Sequence, residues 1–377
     1  MLGMGSQLST DSRASYRVSK DYLMIQSMEI INFRGFKNVS LTSLPRFNVL
    51  IGGSGSGKTS FLEGLWMQGG ISPEIFFRMR MFRGMADPLI QMSGDSRSYE
   101  AFFNEIFYDP SLEQGASIQL IDSILEERQL TISYGSSAQM VMDIAKPQPP
   151  SLNPGTASRP LVFRWKVRDK VHECPLKFVN NQMVVENPPE PFPIFFFASS
   201  LILSARETAE RLSILNIEGE TEKIIETIQK IYPHIRNLSS ESIAGQQMIW
   251  ASLRGLKRKI PSGIISSGIN KLMNILLWIS LNKSGTLLVD EIENGFYFED
   301  YERVYRTIVE FCDAYDVQLF ASTHSWEFLK AIAKVMEERQ NDLAVLKTAF
   351  GNGSCRIKQM EGMPMVAAIE QEIDIRK

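Results

Sequence analysis

The sequence predicts an α/β fold with a mainly parallel sheet, an antiparallel β subdomain and a helical or irregular insertion. Three observations lead there. The short apolar runs Phe47–Ile51, Thr286–Val289 and Gln318–Ala321 each end in a polar or glycine-rich turn, and a helical pattern follows. Strands that alternate with helices at both ends of a chain need crossover connections, so their sheet is parallel. Between the two ends lie short strand-like runs joined by tight turns, the pattern of antiparallel pairing.

The elements follow in order. Residues 1–26 form a polar lead without the apolar core of a signal peptide. Met28–Phe33 and Val39–Leu44 are strands, and Phe47–Ile51 is a buried strand followed by glycines. A helix over Lys58–Met67 presents Phe61, Leu62 and Leu65 as its buried face. Ile71 to Tyr134 gives a mixed, weak pattern. The proline-dense stretch Lys146–Pro160 is a loop. Arg159–Val167, Val171–Phe178 and Gln182–Val185 are short antiparallel strands, and Ile194–Ser199 is a buried one. Glu207–Ile231 is helical with a break at Gly219. An apolar helix over Ile269–Leu281 precedes the strand Thr286–Val289. A helix over Tyr301–Tyr315, the strand Gln318–Ala321 and a helix over Ser325–Arg339 follow.

Composition narrows the function classes. The 377 residues are 44% hydrophobic and 22% charged, which excludes disordered and collagen-like chains. At roughly 100–200 residues per domain, one large or two medium domains fit. A net charge of −3 excludes a protein that coats nucleic acid by bulk charge, although a local basic groove stays open. Cys174, Cys312 and Cys355 show no paired spacing, so neither a disulfide framework nor a zinc site is expected, and a reducing, cytoplasmic setting fits. The apolar run Leu272–Leu281 is too short to span a membrane.

Gly52-Gly53-Ser54-Gly55-Ser56-Gly57-Lys58-Thr59 matches G-x-x-x-x-G-K-[ST] between a strand and a helix, the context that confirms a phosphate loop. Small residues let successive backbone N–H groups curl around a phosphate, and the helix N-terminus adds partial positive charge. Lys58 reaches the β- and γ-phosphates, Thr59 binds Mg²⁺, and Ser60 completes the nucleotide-binding set. Asp290 and Glu291 end an apolar strand at the edge where open α/β sheets bind ligands. Asp290 suits Mg²⁺, and Glu291 suits a general base for water; the plainer alternative is a solvated strand end. Two adjacent acids favour an ATPase that activates water. His324 follows the third strand, where it would sense a γ-phosphate; Ser322, Thr323 and Ser325 are also good helix caps, and both readings hold together. Ser266-Ser267-Gly268 opens an apolar helix, either as a second anion site or as an ordinary capped start.

The ordered set IINFRGFKN, GGSGSGKT, ISSGINKL, LLVDEIENG and ASTHS resembles the ATP-binding-cassette (ABC-type) ATPases of the SMC, RecF and OLD type, and most closely the short OLD-like proteins. The resemblance covers residues 27–68 and 255–330. It implies that GGSGSGKT is Walker A, Asp290-Glu291 Walker B, the serine-glycine turn a signature motif and His324 the switch histidine. It further implies a P-loop head formed by 27–69 and 255–377 with 70–254 inserted. Ser266 and Gly268 would face a γ-phosphate held by a second subunit, so two ATPs would be buried in a homodimer. Glu293-Asn294-Gly295 would lie in the loop that crosses the dimer. Phe33 and Arg34 stand where this family contacts base or ribose, though Phe33 and Phe36 equally suit the core. Gln91 is a candidate for the glutamine that senses the metal.

The signature departs from L-S-G-G-Q at Ile265, Ser267 and Ile269, and the span between Lys58 and Ser266 exceeds transporter spacing. A transporter subunit is therefore disfavoured. The base-reading Asn-Lys-x-Asp motif of GTPases is missing. The short stretch after His324 shows no acidic nuclease cluster, so any nuclease or toxin effector is expected in trans. Arg78, Arg80, Arg83, Arg254, Lys257, Arg258 and Lys259 are candidates for nucleic acid or for a solvated face.

Overall fold

The computed structural model describes residues 24–85, 101–124, 126–135, 160–179, 182–200 and 204–376. The lead to residue 23, most of the proline-dense stretch and Gln91 lie outside the described residues. Two six-stranded sheets organise the rest. The first has the order β2-β1-β4-β5-β6-β7 and is antiparallel throughout. Its strands are β1 (Ile25–Phe33), β2 (Phe36–Leu41), β4 (Ala116–Asp122), β5 (Glu127–Tyr134), β6 (Leu161–Val167) and β7 (Lys170–Pro175). The second has the order β10-β14-β15-β3-β16-β17. Here β10 (Ile194–Phe197), β14 (Thr286–Val289), β15 (Gln318–Ser322), β3 (Phe47–Ile51) and β16 (Leu343–Gly351) run parallel, and β17 (Ser354–Glu361) closes the edge antiparallel.

Parallel strands buried on both faces send successive side chains into two different cores. Leu50, Phe196, Leu288, Phe320 and Leu346 point into the core shared with the antiparallel sheet. Their neighbours Val49, Phe197, Leu287, Val289, Ala321 and Val345 point into the core shared with the remaining helices. The helix Lys58–Met67 lies in the first core, with Phe61, Leu62 and Leu65 fully buried. Each of these side chains contributes about 1.5–3 kcal/mol by leaving water, enough to fix the helix rigidly behind its N-terminal loop.

The parallel strands β3, β10, β14 and β15, the phosphate-loop helix and the break between the helices Ala205–Ile217 and Thr221–Ile231 lie where the periodicity puts them. Strands from residues 70–254 join both six-stranded sheets. β4 pairs directly on β1, from Ile25 opposite Asp122 to Ile31 opposite Ser117, and β10 joins the catalytic sheet beside β14. The physical reason is edge pairing: β1 and β14 each have an open side that a strand from the middle of the chain satisfies. β11 (Ile235–Ile243) and β12 (Gln246–Leu253) form a hairpin, with β13 (Ile260–Pro261) alongside. No helix of the described residues is long and apolar enough to cross a membrane.

Candidate nucleotide site

Three neighbouring strands carry the site. β14, β15 and β3 lie side by side, with Leu288 level with Phe320 and Phe320 level with Asn48. Their C-terminal ends therefore stand in a row, where a doubly wound sheet binds its ligand. The phosphate loop leaves β3, with Gly53, Ser54 and Gly55 exposed at its crest and Ser56 buried. Ser56 Oγ is 2.5 Å from Thr348 Oγ1, which itself donates to the Ile51 carbonyl at 3.0 Å, so β16 anchors the loop from behind. Gly52 makes this possible: its φ is 142° and an added Cβ would stand 2.2 Å from the Thr348 carbonyl oxygen. Gly52→Ala is expected to lower unfolding stability by about 1–3 kcal/mol and to weaken nucleotide binding with it. Urea unfolding and a fluorescent-nucleotide titration of the variant check this.

Lys58 is only 5% exposed and donates from Nζ to the carbonyls of Gly52 at 2.8 Å and Gly53 at 3.0 Å. Burial draws its pKa down, while Asp290, Glu291 and Glu293 pull it back up. The ammonium thus stands inside the loop, held by its own loop's carbonyls and within the field of acids that lie 230 or more residues away in sequence.

The two halves of the site meet at one hydrogen bond. Thr59 Oγ1 donates to Asp290 Oδ2 at 2.9 Å. The other Asp290 oxygen accepts from the Ser322 hydroxyl, which accepts from Glu291 N–H at 2.8 Å. A hydroxyl and a carboxylate this close offer two hard oxygens on one side of a cation, which fits magnesium completed by phosphate oxygens and water. Among the described residues no group of three or more His, Cys, Asp or Glu side chains forms a separate metal site.

Glu291 is partly exposed beside this pair, with φ at 49°. The side-chain amide of Asn294 donates to its carboxylate. His324 is exposed, and its backbone is pinned from both sides. Its N–H donates to Glu293 Oε1 at 2.8 Å, and its carbonyl accepts from Arg376 at 2.7 Å. The helix cap is Ser325, whose Oγ accepts from Phe328 N–H at 3.0 Å, so capping leaves the His324 side chain free for another role. Ser266 is the N-cap residue of the helix Ser267–Leu281 and makes no side-chain cap bond; Gly268 is buried in that helix's first turn.

Phe33 and Arg34 require a correction. Phe33 is fully buried and lies against the phosphate-loop helix at Gly64, so it offers no face to a base. Phe36 is also fully buried and packs under Gly57. Arg34 has its Nε 3.0 Å from Glu63 Oε2 on that helix, and the pair is buried. Glu63 also takes Arg83, through Nε at 2.7 Å and Nη2 at 2.8 Å. Desolvation lowers the Arg34 pKa, and the hydrogen-bonded Glu63 raises that of Arg83. The basic run Arg78–Arg83 is therefore committed inward or locally: Arg80 pairs with Glu105, and Arg78 with Glu74. Arg254, Lys257 and Arg258 remain exposed. Sequence reasoning missed Ser322 as a bridge, Glu63, and the bonds of Glu293. Only their order after known motifs pointed to them.

Known proteins resemble this chain at the level of family and fold. Residues 162–330 match the family model described as "AAA domain, putative AbiEii toxin, Type IV TA system", a range that holds Asp290, Glu291 and His324 but not the phosphate loop. An ATP/GTP phosphatase of Helicobacter pylori is 22% identical over 348 residues, covering 84% of this chain and 89% of the relative. The DNA replication and repair protein RecF of Idiomarina loihiensis is 38% identical over 47 residues, 12% of this chain and 13% of the relative. The Smc head domain with an extended coiled coil, bound to the C-terminal domain of ScpA and derived from Pyrococcus furiosus, aligns with a TM-score of 0.49 at 12% identity, over 93% of this chain and 100% of that chain.

Proposed function

We propose that this chain, an SMC/RecF-like ABC-type ATPase, is a switch that binds Mg²⁺-ATP, pairs with a second copy around it and is reset by hydrolysis. The observation that carries the reading is the 2.9 Å bond between Thr59 and Asp290 beside an exposed glycine loop. It unites a phosphate cradle with a metal-binding acid and a neighbouring base.

The residues divide the work. Gly53, Ser54, Gly55, Ser56 and Gly57 offer backbone N–H groups to the phosphates, and Ser60 stands in the first turn of the helix. Lys58 exchanges the Gly52 and Gly53 carbonyls for β- and γ-phosphate oxygens. Thr59 and Asp290 would hold magnesium, which supplies charge neutralisation at the phosphates. Glu291 takes the proton of the attacking water, and His324 donates a hydrogen bond to the γ-phosphate. The products are ADP and phosphate.

Dimerisation has support on the surface. Ile264 is 72% exposed in front of the signature turn, and Tyr297 and Phe298 are 58% and 56% exposed just after the catalytic loop. Exposed apolar side chains on both flanks of Ser266 and Gly268 suit a face that closes on a second copy. The names of the relatives, replication and repair for one and a toxin–antitoxin system for the family model, support a role in genome maintenance or defence with a partner effector.

The test is phosphate release by the purified protein as magnesium is varied. Asp290→Asn is expected to raise the magnesium needed for half-maximal turnover by about tenfold or more, since one charge-assisted ligand is lost. Turnover without magnesium, or an unchanged magnesium requirement in the variant, contradicts the assignment. ATP binding with no phosphate release favours a non-hydrolysing scaffold.

A further inference from the structure

The signature helix carries a partly buried ammonium that none of the motifs explains. Lys271 lies one turn into Ser267–Leu281, and its Nζ donates to the Glu291 carbonyl at 2.7 Å and to the Asn294 carbonyl at 3.3 Å. Those carbonyls mark the two ends of the turn that follows β14, which Asn294 N–H closes on Glu291 O at 3.0 Å. The same loop rests on the helix at two further points. A Cβ on Gly268 would stand 2.3 Å from the Gly295 carbonyl oxygen, so the two backbones touch. The Phe296 ring centroid is 5.8 Å from Lys271 Nζ.

Glu291 is the residue with most to gain from such support. Its φ of 49° is unusual for a non-glycine residue and persists only where surrounding contacts impose it. Three contacts do so: Ser322 takes its N–H, Lys271 takes its carbonyl, and Asn294 holds its carboxylate. Ser322 and Asn294 belong to the strands and turn of the catalytic edge. Lys271 alone of the three comes from the signature helix.

We propose that Lys271 is a positioning residue for hydrolysis, holding the Glu291 turn so that the carboxylate meets the attacking water and tying that turn to the signature turn Ser266–Gly268. Burial draws the Lys271 pKa down to about 8, and Glu293, Asp290 and Glu291 oppose the fall. An ammonium held partly out of water gives up hydration that its bonds to the Glu291 and Asn294 carbonyls replace. The inference rests on the reading of Glu291 as the base.

The experiment compares Lys271→Met, Lys271→Arg and Glu291→Gln in the full chain, with steady-state turnover, fluorescent-ATP affinity and thermal melting read on each. Lys271→Met is expected to lower kcat about 10- to 100-fold, as misplacement of a reacting group does, while KM and nucleotide affinity stay within about threefold. Lys271→Arg, which keeps the donor, is expected to recover most of kcat. If the Met variant does not fold, Lys271→Gln takes its place. Wild-type kcat in the Met variant overturns the inference. So does a parallel fall of kcat, affinity and melting temperature, the mark of a merely structural lysine. Inactive Glu291→Gln beside a normal Lys271→Met sinks this inference alone. Active Glu291→Gln sinks the base assignment, and the inference with it.

Discussion

Lys58→Ala is expected to lose about 100- to 10,000-fold in ATP affinity while remaining folded. On the proposed reading the side chain supplies charge-assisted hydrogen bonds to the phosphates, each contributing about 1.5–3 kcal/mol. Two such bonds correspond to that loss at 1.4 kcal/mol per factor of ten. Folding is spared because the nucleotide-free protein gains little from this lysine. Its ammonium is nearly dry, and burial disfavours its charged form. Of the two carbonyls that it now serves, that of Gly53 belongs to an exposed residue at the crest of the loop, where water can replace the ammonium. Equilibrium binding of a fluorescent ATP analogue, together with a melting curve, checks both halves. An unchanged affinity contradicts the phosphate-loop assignment.

The second large effect belongs to Glu291→Gln, which is expected to cut turnover about 100- to 10,000-fold with ATP affinity retained. The substitution removes the proton acceptor and keeps the shape. Its amide oxygen can still accept from Asn294, and the backbone bonds through Ser322 and Lys271 do not involve the side chain. Asp290 and Thr59, which carry the proposed metal-binding role, are untouched. With binding intact and hydrolysis blocked, the ATP-bound dimer is expected to accumulate. Light scattering with ATP should then report twice the monomer mass. A variant that turns over within tenfold of wild type would remove Glu291 from the mechanism. A monomer with ATP bound would count against the closure of two copies around nucleotide.

What was legible in the sequence follows from how each signal is encoded. The strands β3, β14 and β15 are contiguous apolar runs because both their faces are covered, and such runs stand out in any window. The phosphate-loop helix is bounded by the motif itself. β4 and β5 are different: Ile118 and Leu120, then Leu130 and Ile132, alternate with polar residues because one face is less covered, and the run looks mixed. The hairpin of β16 and β17 passed unread for the same reason at its outer end, where Phe350 and the residues around it are exposed. The partners of the strands between residues 70 and 254 are not legible because strand pairing is a long-range choice. Nothing local in Ala116–Asp122 says that it lies against Ile25–Phe33. The same holds in the site. Thr59 and Asp290 could be matched through their motifs. The pairing of Arg34 and Arg83 on Glu63, and of Lys271 on Glu291, depends on packing that no spacing encodes.

The division of alternate side chains between two cores has a practical corollary. A slip of one residue in any central strand would exchange the oily contacts of both layers and, in the same stroke, carry its catalytic tip out of line with its neighbours. Correct assembly of distant layers and chemical competence at the rim are thus one event, and phosphate release can serve as a readout of whether a redesigned interior, far from any nucleotide, has come together in the right frame.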